Sequence, residues 1–373
     1  MRFPEDVPVL ADDVVTLRAH SEADIDAAYT MCQDPEMQRW TTIPVPYRRE
    51  NAVGFLTEIV PNGWRNGGLW AWAIEYDGRY VGTIDLRDGE GGVGEVGFAV
   101  APEVRGAGVM TRALKLVVRH AFDVLGWDRV IWRAFVGNWA SRRVAWKAGF
   151  RGLVVVPGSG KSRGVRHDEW IATVGRDDAL EPSGNWWKVP EVEGDGIRLR
   201  ALRATDAKRV VEACNDERTQ YWLAGMPSPY GLSDAEAFIE SRKENLATGE
   251  GVTWAIADES DELIGCVSVF DLNHRIDKTV GEIGYWLHPE ARGRGAMKAA
   301  VRLVIEQAFK PVEEGGLGRR RLVLMAAEGN SASSHVAEVN GFTHVSRERL
   351  AGPRRDGEYS DVHGFDLLAT DRD

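Results

Sequence analysis

The segments Arg105-Gly106-Ala107-Gly108-Val109-Met110 and Arg292-Gly293-Arg294-Gly295-Ala296-Met297 decide the fold of this chain. Each is followed by an asparagine and a serine three residues apart, in Asn138-Trp139-Ala140-Ser141 and in Asn330-Ser331-Ala332-Ser333, and then by a Gly-Phe pair. A single Arg-Gly-x-Gly run arises often by chance, whereas two runs with the same partners in the same order indicate a duplication. We therefore predict two homologous domains, each with its own anion-binding loop.

The spacing of matching residues supports the duplication. Trp222 follows Trp40 by 182 residues, and Gly341 follows Gly149 by 192 residues. Because the offset only grows along the chain, the copies are collinear, and the second contains short insertions near residues 273–277 and 311–318. Surface loops tolerate such insertions. We predict an N-terminal domain over residues 1–176, a linker over 177–190 and a C-terminal domain over 191–373.

Composition indicates a soluble globular chain. Of its 373 residues, 43% are hydrophobic and 28% are charged, and the net charge is −11. This charge argues against general nucleic-acid binding. No apolar run approaches the roughly 20 residues that span a bilayer, and residues 1–6 do not begin a signal peptide, so we expect a cytoplasmic protein without a membrane partner. The three cysteines show no zinc-type spacing, and no metal is expected.

The hydrophobic pattern predicts an α/β fold. In each copy a short strand over residues 14–18 or 197–201 leads into a helix, and strands separated by tight turns follow. A long amphipathic helix over residues 109–125 or 296–309 follows each glycine loop. Strands mixed with packed helices are typical of an α/β sheet domain.

The glycine loops have the chemistry of a phosphate site. Gly106 and Gly108 carry no side chain, so successive backbone N–H groups can approach one anion. The helix that begins near Val109 adds its unpaired N–H groups and its positive dipole end. Arg105 and Arg292 are candidates for additional positive charge.

Together these motifs resemble the GNAT superfamily of N-acetyltransferases. The resemblance rests on Glu-x-Gly at Glu95 and Glu282, on Pro-Glu-x-Arg-Gly-x-Gly, and on Asn-x-x-Ser ahead of Gly-Phe, and it covers nearly the whole chain twice. The RimJ/RimL-like branch, which acetylates protein N-termini and small amines, matches best. The resemblance implies two tandem GNAT-type domains, each a mixed, splayed β-sheet flanked by helices.

The resemblance also implies acetyl-CoA as the acyl donor. Its pyrophosphate would bind the glycine loops, and its pantetheine arm would lie along the strands that end near Val100 and Leu287. Asn138 and Asn330 match the family asparagine that contacts this arm. The complete set of implied donor-binding residues is Val100, Arg105, Gly106, Ala107, Gly108, Val109, Met110, Thr111, Asn138, Leu287, Arg292, Gly293, Arg294, Gly295, Ala296, Met297, Lys298 and Asn330.

Four residues match the family's catalytic positions. Glu95 and Glu282 match the strand glutamate that accepts the proton of the acceptor amine, and a carboxylate of raised pKa suits that role. Ser141 and Ser333 match the serine that protonates the leaving thiolate. Transfer would be direct, without an acyl-enzyme. Many family members instead use a tyrosine seven residues after the asparagine, but alanine stands at both of those positions here.

The acceptor pocket is harder to read from sequence. Trp40, Tyr47, Trp222 and Tyr230 lie in segments that wall this pocket in the family, although aromatic residues that close the core would give the same pattern. The resemblance implies that the acceptor is a primary amine, either of a small molecule or of a protein N-terminus, and the sequence does not choose between them. We expect a monomer whose two domains imitate the dimer of single-domain relatives, an analogy of fold alone.

Residues 157–162, Pro-Gly-Ser-Gly-Lys-Ser, resemble a nucleotide-binding loop, but the first required glycine is replaced by Val155 and no helix is predicted after Ser162. The segment is better interpreted as a hairpin that borders the acceptor site. There Lys161, Arg163 and Arg166 are placed to contact an anionic group or CoA.

Three functional hypotheses remain at this point: two active domains, one active domain with a scaffold, or a CoA-binding regulatory protein without turnover. Both copies keep the loop glycines, asparagine, serine and glutamate, so the sequence does not choose between the first two. The retained glutamates and serines argue against the third.

Overall fold

The two halves form separate folded units in the computed structural model, which describes residues 6–372. The boundary lies between Ser183 and Gly184, inside the predicted linker. Residues 176–191, all described, contain no helix or strand. Trp187 in this segment is buried in the second unit, where its indole N–H donates to the carbonyl of Gly249 (3.0 Å). The domain limits at 176 and 191 stay a prediction.

The N-terminal unit is a mixed sheet of eight strands in the order β1-β2-β3-β4-β5-β6-β8-β7. Only β5 and β6 run parallel, and the helix α5 forms the crossover that a parallel pair requires. The strands are β1 (Leu10–Ala11), β2 (Val15–Arg18), β3 (Leu69–Tyr76), β4 (Arg79–Asp88), β5 (Val93–Val100), β6 (Arg129–Phe135), β7 (Arg151–Ser162) and β8 (Val165–Gly175), and the helices are α1 (Ile25–Met31), α2 (Pro35–Trp40), α3 (Arg49–Gly54), α4 (Val60–Asn66), α5 (Val109–Asp123) and α6 (Trp139–Lys147).

The C-terminal unit repeats this topology, with β13 and β14 as the parallel pair. Its insertions at residues 273–277 and 311–318 fall in loops, as predicted. The strands are β9 (Val192–Gly194), β10 (Ile197–Arg200), β11 (Gly251–Ala257), β12 (Leu263–Phe270), β13 (Val280–Leu287), β14 (Arg321–Ala327), β15 (Thr343–Pro353) and β16 (Tyr359–Leu368), and the helices are α7 (Ala207–Cys214), α8 (Glu217–Trp222), α9 (Leu232–Thr248), α10 (Ala296–Phe309) and α11 (Ser331–Val339). The predicted α/β class and tandem organisation are confirmed.

Each parallel pair separates midway. β5 pairs with β6 from Val93 to Val96, and β13 pairs with β14 from Val280 to Ile283, but all four strands continue beyond these points. Backbone groups on the separated ends are left without a strand partner, and such groups need another acceptor or donor. The gap is therefore the place where an extended ligand can pair with the sheet.

The core of each unit lies between its sheet and its helices, and a buried tryptophan with its hydrogen bond occurs at the same position in both. Trp72 and Trp254 are fully buried, and each donates its indole N–H to a proline carbonyl 64 residues earlier in the chain, at 2.9 Å in both copies. The three cysteines are buried and free. Burying a tryptophan of this size contributes several kcal/mol, about 3–5 kcal/mol by truncation to alanine.

The nucleotide-loop alternative for residues 157–162 is wrong. These residues belong to β7, a two-residue turn follows, and β8 returns antiparallel from Val165. No helix begins there to bind a phosphate. Within residues 6–372, every helix is too short or too polar to cross a bilayer. The expectation that no signal peptide begins at residues 1–6 falls mostly on residues 1–5, which lie outside the described part of the chain.

Candidate active site

Both glycine loops adopt a backbone that only glycine tolerates easily. Gly106 and Gly108 have φ of +82° and +85°, and Gly293 and Gly295 have φ of +74° and +78°. A Cβ atom added at any of these positions would meet nothing within 4 Å, so the space beside each loop is open. The glycines are needed for conformation, and the open space admits a ligand.

The helix that follows each loop presents unpaired donors to this space. In the described part of the chain, the N–H groups of Gly108, Val109 and Met110 have no hydrogen-bond acceptor, as expected for a helix N-terminus. The same is true of Ala296 and Met297 in the second copy. Successive N–H groups at the positive end of a helix form an anion site.

The loop arginines are not free charges. Arg105 pairs with Asp34 and Arg292 with Asp216, each at 2.5 Å, and each aspartate caps the helix α2 or α8. These arginines fasten the loop to a helix, and their role as extra positive charge for the donor stays a prediction. The backbone N–H groups are the other candidates for anion contacts at the loops.

A cavity of about 720 Å³ opens in the N-terminal domain. It extends from the glycine loop, through the gap between β5 and β6, to the opposite face of the sheet. Ala107, Val109 and Tyr47 do not line it. The predicted residues that do are Trp40, Glu95, Val100, Arg105, Gly106, Gly108, Met110, Thr111, Asn138 and Ser141.

Each asparagine caps the helix that carries the serine. The side-chain oxygen Oδ1 of Asn138 accepts from the backbone N–H of Ser141 at 3.2 Å, and Oδ1 of Asn330 accepts from the backbone N–H of Ser333 at 3.3 Å. This cap fixes the first turn of α6 and of α11. It therefore positions each serine beside the gap between the parallel strands.

The serine hydroxyls have different partners in the two domains. The Trp132 indole N–H donates to Ser141 Oγ at 3.0 Å, whereas the Tyr285 hydroxyl lies 3.0 Å from Ser333 Oγ. Trp132 is on β6, on the same side of the gap as its serine, and Tyr285 is on β13, across the gap. Sequence reasoning missed both partners, because neither belongs to a local motif.

Glu95 lies between two arginines. Arg133 Nε donates to the Glu95 carboxylate at 2.7 Å, and Nη1 of Arg87, on the neighbouring strand, lies 3.6 Å from Glu95 Oε1. Arg87 also contacts Asp85, with Nε 2.8 Å from Oδ1. Asp85 is 8% exposed, and burial raises the pKa of its carboxyl to about 6, against the opposing effect of Arg87. Asp85 was not predicted as a site residue.

Glu282 has no cationic partner within ion-pair distance in residues 6–372. Its cross-strand neighbour is Phe270, where the N-terminal domain has Arg87. Burial raises the pKa of the Glu282 carboxyl, and the nearby carboxylates of Asp271 and Glu348 raise it further. A carboxylate of raised pKa without a cation is a suitable proton acceptor for an ammonium group.

The predicted aromatic pocket residues divide into two groups. Trp40 lines the N-terminal cavity and packs over Gly137, and Trp222 packs over the equivalent Gly329. Tyr47 and Tyr230, by contrast, are 8% and 6% exposed and belong to the hydrophobic cores. The structure thus favours the core interpretation for the two tyrosines over a pocket role.

Each β-hairpin is tied to the segment that follows α2 or α8. Arg163, at the turn between β7 and β8, donates to the carbonyl groups of Gln38 and of Ile43 (3.4 Å to the latter). Arg355, at the turn between β15 and β16, donates to the Met226 carbonyl at 3.2 Å. The first hairpin borders the cavity, since Lys161 lines it, and its place beside the acceptor site stays a prediction.

Comparison with protein families agrees with this geometry. The model of the acetyltransferase (GNAT) domain matches residues 15–151 and again residues 197–343, which together make up more than half of the chain. The chain belongs to the GNAT acetyltransferase family, with two copies of its domain. It is an acyltransferase of the N-acetyltransferase class.

Individual relatives lie in the same branch. The chain is 30% identical over 175 residues to a putative ribosomal N-acetyltransferase, YdaF, of Bacillus subtilis (strain 168), covering 46% of this chain and 88% of the relative. It is 37% identical over 84 residues to the ribosomal-protein-serine acetyltransferase of Escherichia coli (strain K12), covering 22% and 43%. Mycobacterium smegmatis RimJ, solved in complex with a CoA-disulfide, is 20% identical with a TM-score of 0.42, covering 47% of this chain and 90% of that one.

Proposed function

We propose that each domain binds acetyl-CoA and transfers its acetyl group directly to a primary amine. The observation that carries this proposal is the N-terminal cavity, whose lining includes Gly106 and Gly108 of the loop together with Ser141 and Glu95. The C-terminal domain repeats the loop conformation and the asparagine cap at equivalent positions.

The donor fits the residues present. Unpaired N–H groups of Gly108, Val109 and Met110, and of their counterparts, bind the pyrophosphate of acetyl-CoA, and the separated end of β5 or β13 pairs with the pantetheine amides. The open space beside each glycine is the feature that such an anion requires. The donor supplies an activated thioester.

The chain's own residues orient the acceptor and handle protons. In the C-terminal domain Glu282 takes a proton from the ammonium group, which leaves a neutral nucleophile. Ser333 donates a hydrogen bond to the departing thiolate, and Asn330 holds that serine in place. Glu95 and Ser141 have the same roles in the N-terminal domain.

The acceptor we propose is the amine of a protein N-terminus or of a small molecule. The two relatives whose names mention ribosomal proteins support a protein acceptor. Trp40 lines the cavity, whose volume of about 720 Å³ has room for the end of an extended chain as well as for a free amine.

Isothermal titration of acetyl-CoA into the full chain tests the donor sites. Wild type should bind two equivalents, and Gly108→Glu and Gly295→Glu should each lose one, because a carboxylate at a strained position repels the pyrophosphate. Gly126→Glu and Gly315→Glu are matched controls, since both glycines have positive φ and open surroundings but lie outside the loops. Absence of binding to wild type would refute the proposal, and loss of one site in only one variant would leave one domain as a scaffold.

A further inference from the structure

The acceptor end of the N-terminal cavity can be separated from its donor end. Asp34 caps the start of helix α2 and is paired with the loop residue Arg105, and the helix ends at Trp40. Six helical residues span about 9 Å. Arg163 ties the hairpin to the Gln38 end of this helix, so Lys161 lies at the acceptor end of the cavity.

This end carries three cations. Arg133 and Arg87 line the wall of the cavity, and their side chains are 37% and 53% exposed despite their contacts with Glu95. Lys161 has no carboxylate within ion-pair distance in residues 6–372. Among the contacts of Arg133 within residues 6–372, only Nε makes a close hydrogen bond, and Nη1 lies 4.0 Å from the Glu169 carboxylate.

The C-terminal domain lacks all three cations. On the antiparallel strand that faces Glu282, Phe270 stands where the N-terminal domain has Arg87. On the parallel strand, Met325 lies two residues after the partner of Glu282, at the position where the N-terminal domain has Arg133. In the hairpin, Pro353 stands where the N-terminal domain has Lys161. The cationic groups are therefore specific to one acceptor site, and they are not required by the fold.

We propose that the N-terminal domain acetylates an amine that carries a carboxylate or phosphate a few bonds from its nitrogen, and that Arg133 and Lys161 bind this anion. Arginine and lysine bind such groups through charge-assisted hydrogen bonds. The inference rests on the proposed function, because it assigns the acceptor class of the same cavity.

Binding of the anion also prepares the proton acceptor. An acceptor anion that engages Arg133 draws this arginine away from Glu95 and leaves the carboxylate oxygens free to accept the proton of the adjacent ammonium group. The nitrogen–carbon bond forms as the carbon–sulfur bond of the thioester breaks. Of the two protons that the ammonium group loses, one ends on the CoA thiolate and the other leaves to solvent through Glu95.

The test uses the full chain with Gly295→Glu, so that only the N-terminal domain turns over. Two matched acceptor pairs differ only in the anion: 2-aminoethyl phosphate against ethanolamine, and β-alanine against β-alaninamide. We expect kcat/KM to be at least about tenfold higher for the anionic member of one or both pairs. The two pairs distinguish a phosphate from a carboxylate.

Lys161→Met and Arg133→Met should each reduce this preference to within about twofold, because kcat/KM falls for the anionic member of the pair. Arg79→Met, at an exposed turn of the same domain, is the control and should leave the preference intact. In the Gly108→Glu background, which isolates the C-terminal domain, the preference should be absent. Equal kcat/KM within both pairs, or a preference that survives both cavity variants, would overturn the inference.

A binding measurement covers the case in which none of these amines is acetylated. The same four compounds are titrated into the Gly295→Glu protein saturated with CoA, so that the glycine loop is already filled. Binding of an anionic member, lost in Lys161→Met, supports the inference, and no binding of either anion refutes it. If acetyl-CoA itself fails to bind, the proposed function has failed instead.

Discussion

Glu95 and Glu282 occupy the same strand position in two copies of one fold, yet their surroundings differ in charge. Glu95 is held by Arg133 at 2.7 Å and faces Arg87, whereas Glu282 faces Phe270 and lies near the carboxylates of Asp271 and Glu348. The donor loops, in contrast, agree to within about 10° in φ at each glycine. The two copies therefore share the conformation of the glycine loops and differ in the charges around the strand glutamate.

This difference has a chemical meaning. Guanidinium groups that pair with a carboxylate occupy the oxygens that would otherwise accept a proton from the substrate amine. A half-buried carboxylate beside other negative charges accepts a proton more readily. We therefore expect the C-terminal domain to depend on its glutamate for simple amines and the N-terminal domain to depend on it less.

The largest effect should come from Glu282→Gln. In the Gly108→Glu background, where only the C-terminal domain binds donor, kcat/KM with an uncharged amine such as ethanolamine should fall about 100-fold, the usual contribution of a general base. In the Gly295→Glu background, Glu95→Gln should cost less than about tenfold with the same amine. Steady-state thiol release measures both.

Glu348→Gln is the control for general electrostatic effects at Glu282, because it removes a neighbouring negative charge and keeps the base. It should lower the pKa seen in the pH–rate profile and cost little activity. Equal losses in Glu95→Gln and Glu282→Gln would show that the arginines do not distinguish the two glutamates.

The second effect concerns the serine partners. Ser333→Ala should reduce the kcat of the C-terminal domain about tenfold, and Tyr285→Phe should reduce it about threefold, because the phenol orients the serine hydroxyl. Phenylalanine is the natural residue at the equivalent position, Phe98, so the variant should fold. A change confined to the KM for acetyl-CoA would instead assign Tyr285 to bridging the gap between β13 and β14.

How far the sequence predicts the site depends on the distance between interacting residues. The loops and the Asn138 cap are short-range patterns, and the structure has both. Pairings between residues far apart in the sequence escaped prediction. They are the contact of Arg133 with Glu95 across the parallel strands, and the contact of Arg112 on α5 with Asp12 and Asp13, about 100 residues apart. The latter explains an arginine for which the local motif offers no role.

A third effect is on stability and concerns Asp85. Its counterpart in the C-terminal domain is Ser268, which pairs with Gly284 on the neighbouring strand. Burial raises its pKa from 3.8 to about 6. The folded state therefore binds more protons than the unfolded state between these values, so stability falls as pH rises through about 4 to 6. Asp85→Asn removes the buried charge and should stabilise the N-terminal domain by about 1–2 kcal/mol at pH 8, after loss of the Arg87 contact is allowed for.

Calorimetry of the full chain should show one transition raised by about 3–6 °C at pH 8 and almost unchanged at pH 4, where Asp85 is protonated in the wild-type fold. Asp88→Asn, an exposed change on the same strand, should leave both temperatures unchanged. A destabilised variant at pH 8 would mean that the Arg87–Asp85 contact outweighs the cost of burying the charge.

The smallest effect should come from the hairpin arginines. Arg163 reaches the carbonyl groups of Gln38 and Ile43, whereas Arg355 reaches only that of Met226 among the described residues. Loss of one exposed hydrogen-bonded tie costs about 1 kcal/mol or less. Arg163→Ala should therefore raise the acceptor KM of the N-terminal domain about threefold and leave its kcat and the acetyl-CoA affinity unchanged. Arg355→Ala should change the C-terminal KM less than twofold, because a single hydrogen bond is lost.

Asp34 caps α2 and holds the donor loop through Arg105. A change in acetyl-CoA affinity on Arg163→Ala would therefore show instead that the hairpin supports both ends of the cavity.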